Sequence, residues 1–159
     1  MLRLTWVEGP GTSIYKSTDH GKNWIEIKDG LPNSNLGKIG LAISPFDSTI
    51  LYAAVETDRR NGAVYKTTNS GGSWSKMSDT VSGATGPHYY QELVASPHVF
   101  DKIYLMDTKV QVSENGGKDF YIMNESDKHV DNHSLTFKMS DPNYLLSLIH
   151  ISEPTRQPC

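Results

Sequence analysis

Short runs of apolar and β-branched residues recur along the chain, and polar turn residues separate them. Residues 13–17 (SIYKS) and 63–67 (AVYKT) each end at a cluster of polar residues and glycine. Residues 24–27 and 74–77 leave such a cluster with alternating apolar and polar positions. Alternation with a period of two residues is typical of a half-buried β-strand. Because no stretch has convincing helical periodicity, the pattern predicts an all-β fold.

A motif of the form Ser/Thr-x-Asp/Asn-x-Gly-x-x-Trp/Phe occurs three times, and its copies begin at residues 17, 67 and 113, which are 50 and 46 residues apart. Its defining positions are Ser17, Asp19, Gly21 and Trp24; Thr67, Asn69, Gly71 and Trp74; and Ser113, Asn115, Gly117 and Phe120. The carboxylate or amide can accept backbone N–H bonds within its own turn, and the hydroxyl adds another local bond. The glycine suits a positive φ, and the aromatic side chain can fill the space between two sheets.

These three copies are interpreted as hairpins that satisfy their own polar groups and fix strand register. A residue type that recurs in every repeat usually solves a problem that every repeat has. The alternative interpretation makes Asp19 or Trp24 a ligand contact.

A second element has the same period. It occurs as residues 41–52 (LAISP…ILY) and 93–105 (LVASP…IYL), with a looser copy at residues 135–146. Two motifs that share a period of about 45–50 residues predict propeller blades. Each blade is expected to run strand, Ser-Pro turn, strand, strand, turn motif, strand. The prediction is a partial β-propeller of about three four-stranded antiparallel blades, with a domain at 1–146 and blade pieces at about 1–37, 38–88, 89–132 and 133–146.

The turn motif resembles the Asp-box, or bacterial neuraminidase repeat. Residues 36–45, 129–133 and 141–146 are similar to the sortilin-like and xyloglucanase-like propellers that bacteria secrete, so the resemblance covers about residues 10–146. It implies further blades, an exported location (secreted, cell-surface or periplasmic) and a glycan or peptide ligand. The catalytic Asp pair of xyloglucanases and the arginine triad and Tyr-Glu pair of sialidases have no counterparts in this chain.

The family pattern stops near Leu146. Residues 147–159 (SLIHISEPTRQPC) are interpreted as a non-native tail, with a diverged natural C-terminus as the alternative. The only cysteine is Cys159, so no internal disulfide is expected. The 159 residues include 15 basic and 18 acidic ones, for a net charge of −3, and they form no basic stripe, which argues against nucleic acid as a partner. No apolar run approaches the roughly 18 residues of a membrane span.

Residues 36–39, 87–92 and 129–133 precede the first strands of successive blades, so they are expected to meet at one mouth of the central channel. The candidate ligand-binding residues are His88, Tyr89, Tyr90, His129 and His133. His88 and the two tyrosines could stack on a sugar ring or hold a peptide.

His129, Asp131 and His133 are spaced so that an extended strand would carry all three on one face, as half of a site for Zn²⁺ or another divalent ion. Asp131 with Glu92 could form a carboxylate pair for glycoside chemistry if their separation were about 5–10 Å. The alternative for all of them is turn capping and blade packing.

Three functions remain open from the sequence. The first is a propeller that binds protein or glycan at the channel mouth. The second is a xyloglucanase-like glycoside hydrolase that uses Glu92 and Asp131. In the third, the chain has no function by itself, and its open sheet edges favour dimers or poor solubility.

Overall fold

The computed structural model describes residues 11–58, 61–83 and 90–149, which form strands and turns with no helix. The twelve strands are β1 (Ile14–Lys16), β2 (Ile25–Ile27), β3 (Ile39–Ile43), β4 (Leu51–Asp58), β5 (Asn61–Thr67), β6 (Ser75–Ser78), β7 (Leu93–Ala95), β8 (Ile103–Leu105), β9 (Gln111–Ser113), β10 (Tyr121–Ile122), β11 (Asn132–Phe137) and β12 (Leu145–Ile149). These described residues contain no helix that is long and apolar enough to cross a membrane.

Two sheets are complete four-stranded antiparallel blades. Their strand orders are β3-β4-β5-β6 and β7-β8-β9-β10, so neighbours in sequence are neighbours in the sheet. The Ser-Pro turn joins the first two strands of each blade, and the turn motif joins the last two. The first turn is closed in both blades by a backbone bond from the serine, Ser44 N to Ile50 O at 2.9 Å and Ser96 N to Lys102 O at 2.8 Å. The sequence prediction of an all-β partial propeller is confirmed.

The other two sheets are half-blades of two antiparallel strands each. β1 and β2 flank the first turn motif, so they correspond to the third and fourth strands of a blade. β11 and β12 flank the turn equivalent to Ser-Pro, which the Lys138 N to Tyr144 O bond closes at 3.1 Å, so they correspond to the first and second strands. The described chain is therefore an arc of half-blade, blade, blade and half-blade.

A separate apolar core fills each space between successive sheets. Alternation along the strands sends Ala53, Val55 and Tyr65 into the core shared with the first half-blade. The intervening residues Tyr52, Ala54 and Val64 enter the core shared with the next blade. The third core, between the second blade and the last half-blade, is built around Tyr104, Met106, Val110, Val112 and Leu135.

The three turn motifs have the same geometry. In the first, the Ser17 hydroxyl donates to Asp19 Oδ1 at 2.8 Å and accepts the Gly21 N–H at 2.8 Å. Asp19 Oδ1 also accepts the Asn23 N–H at 2.9 Å. The second and third motifs repeat these bonds with Asn69 and Asn115 as acceptors. The motif glycines have φ between 82° and 95°, a region that suits glycine.

The aromatic residues that close the motifs differ in burial. Trp74 is 5 % exposed in the first core, and Phe120 packs against the second. Trp24 is 61 % exposed, and its indole N–H donates to Gly21 O at 3.0 Å. The expectation that all three fill a space between sheets is therefore wrong for Trp24. Each of the other two packs towards the preceding sheet, and no sheet precedes β1 in the described residues.

β12 continues beyond the point where the family pattern stops. It extends to Ile149, and Asn132 pairs with Ile149 in the sheet. The Ser147 hydroxyl donates to Asn132 Oδ1 at 2.7 Å. Residues 150–159 lie outside the described part, and the interpretation of 147–159 as a tail remains a prediction.

Candidate functional site

The candidate site lies at the end of the sheets where β3, β7 and β11 begin, which we call the strand-1 end. Lys38 directly precedes β3, Glu92 directly precedes β7, and Asp131 directly precedes β11. The site is thus supplied by three successive sheets. Of the ligand-binding residues predicted from sequence, His88 and Tyr89 fall outside the described residues.

An ion pair joins the two complete blades at this end. Lys38 Nζ lies 2.5 Å from Glu92 Oε1, and the two side chains are 32 % and 39 % exposed. The backbone N–H of Lys38 donates to Glu56 Oε2 at 3.0 Å. Lys38 therefore contacts two carboxylates, one through its ammonium group and one through its backbone.

Glu56 was not identified from the sequence, although it is 4 % exposed. It ends an apolar run on β4, Leu51–Val55, and a carboxylate is rarely buried without a partner. Gly37 makes room for it, since a Cβ on Gly37 would lie 2.3 Å from Glu56 Oε2. The available signal was a glutamate directly after an apolar run, but its partner Lys38 is 18 residues away in sequence.

The second contact at the strand-1 end joins the second blade to the last half-blade. The Tyr90 ring stacks on His133, with centroids 5.1 Å apart and planes at 21°. The Tyr90 hydroxyl donates to Asp131 Oδ1 at 2.7 Å. Tyr90 is 1 % exposed, so its ring is part of the wall rather than an open stacking surface. The structure thus brings together Tyr90, Asp131 and His133, three residues singled out from the sequence.

Unusual backbone geometry sets these positions. Gln91 has φ of 91° and Asp131 has φ of 72°, and neither is glycine. Gln91 is fully buried, and its Oε1 accepts the Ser82 N–H at 3.1 Å. The Asp131 N–H donates to Thr108 O at 2.7 Å. Left-handed residues of this type persist only where surrounding contacts enforce them, and they are common at functional sites.

The left-handed Asp131 also changes the expected metal geometry. β11 begins only at Asn132, so residues 129–133 are not one extended strand, and the premise that His129, Asp131 and His133 share a face is wrong. His129 is exposed, and its Nδ1 lies 2.8 Å from the backbone oxygen of Val130. Within residues 11–58, 61–83 and 90–149, no group of three or more His, Cys, Asp or Glu side chains is placed to hold a metal ion.

The proposed carboxylate pair is divided between the two contacts. Glu92 is held by Lys38 on the side of the first complete blade, and Asp131 accepts the Tyr90 hydroxyl on the side of the last half-blade. Their catalytic role remains a prediction. Glu56 is the carboxylate that shares a partner with Glu92.

A groove lies beside this cluster, between the β2–β3 connection and the first complete blade. Ile39 pairs with Val55, so β4 ends beside the start of β3, and the groove is at the strand-1 end. Its volume is about 540 Å³, and its lining residues include Pro32, Ser34, Thr57, Asn61, Tyr65 and Lys76. Burial raises the pKa of the Tyr65 hydroxyl, which keeps it protonated. This groove could not be predicted from the sequence because its walls come from three separate segments.

The chain resembles solved propeller enzymes in fold. It is similar to a GH74 xyloglucanase from Xanthomonas campestris, with a TM-score of 0.58, 18% identity, and coverage of 79% of this chain and 22% of that one. It is also similar to a GH74 enzyme from Niastella koreensis, with a TM-score of 0.52, 15% identity, and coverage of 64% and 17%. No protein-family model matches, and no curated protein is significantly similar.

The chain thus spans about a fifth of the length of the solved structures that it resembles. At this identity the likeness shows the fold alone. The chain is an arc of a β-propeller, with sheets like those of GH74 structures.

Proposed function

We propose that this chain is part of a glycan-binding β-propeller and that the glycan binds at the strand-1 end. The observation that carries the proposal is the convergence there of polar groups from successive sheets, Lys38, Glu92 and His133, next to a groove lined by hydroxyl and amide groups. Sugar hydroxyls need many donors and acceptors at fixed positions, and binding sites usually occupy concave surfaces with a few convergent polar groups.

The groove offers chemistry that suits a neutral sugar. Ser34, Thr57 and Asn61 supply hydroxyl and amide groups, and Pro32 and Tyr65 supply apolar surface. The charged groups of this groove compensate each other, because Lys76 Nζ lies 2.5 Å from Asp79 Oδ1. A neutral polysaccharide is therefore favoured over a strongly charged ligand. A peptide that binds the same groove is the alternative ligand.

The resemblance of the turn motifs supports two finer proposals. We assign the three hairpins to the Asp-box type, because each repeats the same hydroxyl-to-acceptor and acceptor-to-backbone bonds. The parent protein is proposed to be exported. One of the solved propellers that the chain resembles is a xyloglucanase, an enzyme that acts on a polysaccharide.

Hydrolysis is the second candidate function. Its support is the pair of carboxylates, Glu56 and Glu92, that both contact Lys38. Two carboxylates on opposite sides of a glycosidic bond are the usual machinery for its cleavage. Binding is favoured because Glu56, at 4 % exposed, is too buried to act as the second carboxylate beside the partly exposed Glu92.

The test is titration with xyloglucan oligosaccharides followed by NMR shift changes and by assay of released reducing ends. We expect the signals of Thr57 and Asn61 to shift. The Asn61→Ala variant should bind the oligosaccharide with at least tenfold lower affinity. The matched control is Asn143→Ala, since Asn143 is also an exposed asparagine but lies in the β11–β12 turn at the opposite end.

Three results separate the alternatives. Binding without product supports the proposal. Release of product that is lost in the Glu92→Gln variant would show hydrolysis of the glycan instead of binding alone. Absence of any shift with oligosaccharides, together with shifts from a peptide library, would replace the glycan with a peptide.

A further inference from the structure

A second cavity lies between the two complete blades, at the end of the sheets opposite the strand-1 end. One wall is the second turn motif with the start of β6, and the other is the third turn motif with the turn before β8. Both of these blades have all four strands, so the cavity does not arise from the first or last sheet of the arc. Its volume is about 260 Å³, and its lining residues include Thr68, Ser73, Ser75, Met77, Asn115 and Lys118.

The charged groups of this cavity leave one positive charge without a partner. Lys66 and Asp101 also line it, and they neutralise each other, because Lys66 Nζ lies 2.7 Å from both carboxylate oxygens. Lys118 is exposed and forms no ion pair within residues 11–58, 61–83 and 90–149. The carboxylate of Asp119, next in sequence, instead accepts the Asn115 side-chain amide at 3.0 Å. The cavity is therefore suited to an anionic group beside Lys118.

Hydroxyl groups supply the neutral part of the lining. Ser73 Oγ accepts the Asn69 side-chain amide at 3.0 Å, so its own proton can be donated to a ligand. Thr68 and Ser75 add two exposed hydroxyls. Several neutral donors and acceptors beside a single ammonium group suit a ligand that carries hydroxyls as well as a negative charge.

An exposed aromatic ring lies next to these polar groups. The centroid of the Phe100 ring is 5.5 Å from Lys66 Nζ. Phe46 meets this ring edge-to-face at 6.0 Å, yet Phe100 remains 49 % exposed. Met77 provides apolar surface inside the cavity. Apolar surface with a few convergent polar groups is the usual composition of a small-ligand site.

We infer that this cavity binds a uronic acid unit of an acidic polysaccharide. The carboxylate of the sugar pairs with Lys118, its hydroxyls bond to Ser73 and Ser75, and its ring lies beside the exposed ring of Phe100. The cavity is slightly smaller than the ~300–1,000 Å³ of pockets for drug-sized ligands, so it suits one sugar unit. An acidic peptide also offers carboxylates, but it lacks the ring hydroxyls that match this lining. The site is separate from the strand-1 end and does not rest on neutral glycan binding there.

Titration of the full chain with tri-galacturonic acid, followed by ¹H–¹⁵N NMR, tests this inference. The signals of Thr68, Ser73 and Lys118 should shift, whereas those of Thr57 and Asn61 in the other groove should not. The fully methyl-esterified trimer keeps the sugar rings and loses the charge, so it should bind about fivefold more weakly, as expected for loss of an exposed ion pair. Triglutamate keeps the carboxylates without the sugar rings, and it should also bind about fivefold more weakly.

Two variants test the residues. Lys118→Gln should lower the affinity for tri-galacturonic acid about fivefold and remove the preference for the acid over the ester. The matched control is Lys109→Gln, since Lys109 is also an exposed lysine but lies in the β8–β9 turn at the strand-1 end. Phe100→Ala should weaken the acid and the ester by the same factor, because the ring contacts the sugar and not its charge.

The outcomes that overturn the inference are distinct. Equal affinity for the acid and the ester would show that the cavity does not recognise the charge. Equal affinity for triglutamate would replace the sugar acid with an acidic peptide. No shift of the Thr68, Ser73 and Lys118 signals, or an equal loss in the Lys109→Gln control, would remove the site. Xyloglucan oligosaccharides test the strand-1 end separately, since Lys118→Gln should leave their binding unchanged.

Discussion

The ammonium group of Lys66 lies 2.7 Å from both carboxylate oxygens of Asp101, and this contact joins the two complete blades. Lys66 is on β5, and Asp101 is in the turn before β8. The Tyr52 hydroxyl donates to the same carboxylate at 2.5 Å. Burial, followed by this bond to Asp101, raises the pKa of Tyr52, so the hydroxyl stays a donor at ordinary pH.

Lys66→Met is expected to destabilise the protein by about 2 kcal/mol, because it removes a charged partner from a carboxylate that is largely shielded from water. The side chains of this pair are 15 % and 22 % exposed. Lys76→Met is the control, since Lys76 pairs with Asp79 at 51 % and 83 % exposure and should lose less than about 1 kcal/mol. Urea unfolding measures both free energies. Equal losses of unfolding free energy in the two variants would mean that the contact between blades adds no more stability than an exposed ion pair.

Acid should loosen the first turn motif and leave the other two intact. The N–H of Asn23, then the Asn23 side chain and the Ser17 hydroxyl, lower the pKa of Asp19 from 3.8 to about 2. Because the folded pKa is below the unfolded one, this stabilisation is present above about pH 4 and is lost as the pH falls through about 2. Asn69 and Asn115 do not titrate.

An NMR titration of the Asp19 carboxyl carbon, with the amide signals of Asn23, Ser73 and Asp119 as reporters, measures this difference. Those three amides donate the equivalent bond in the three motifs. Asp19→Asn should remove the low-pH transition of the Asn23 amide. A carboxyl that titrates near 3.8 would show that the local bonds do not stabilise the charge.

Gly40→Ala should separate the first-strand regions of the two blades. A Cβ on Gly40 would lie 1.8 Å from the backbone oxygen of Gln91, and a backbone atom cannot rotate away as a side chain can. We expect a loss of about 1–3 kcal/mol, as for overpacking in a core. Gly83→Ala is the control, since nothing lies within 4 Å of its added Cβ. Thermal unfolding of both variants compares them, and equal melting temperatures would contradict the close approach.

Tyr90→Phe should weaken the strand-1 end without unfolding the chain. The variant keeps the ring that stacks on His133 but removes the hydroxyl that donates to Asp131. A loss of about 1 kcal/mol is expected for one hydrogen bond. The ¹H–¹⁵N signals of Asp131 and His133 should shift, while the Lys66 signal should stay. Unchanged Asp131 signals would contradict the contact.

The turn motifs could be predicted from the sequence because their bonds are local. Each hydroxyl, acceptor and glycine acts within the same few residues, as Ser17, Asp19 and Gly21 show. The convergence of Lys38, Glu92, Tyr90 and His133 at one end followed from the repeat, because equivalent positions of successive blades lie side by side.

Features that depend on distant neighbours could not be predicted in the same way. Asp131 adopts a left-handed conformation that the spacing of His129 and His133 does not reveal. The burial of Glu56 depends on the room beside Gly37, and the exposure of Trp24 depends on what lies before β1. Periodicity identifies a blade, but it does not identify which faces of the terminal sheets are covered.

The most direct test of the central claim is a set of interstrand NOEs that defines the strand order in both complete blades. Contacts are expected across the pairs Ala42–Tyr52, Ala53–Tyr65 and Tyr65–Lys76 in the first blade, and across Val94–Tyr104, Tyr104–Val112 and Val112–Tyr121 in the second. Matching networks in both sheets would establish repeated four-stranded blades. Sequential helical NOEs, or strand pairs that differ between the two repeats, would contradict the propeller.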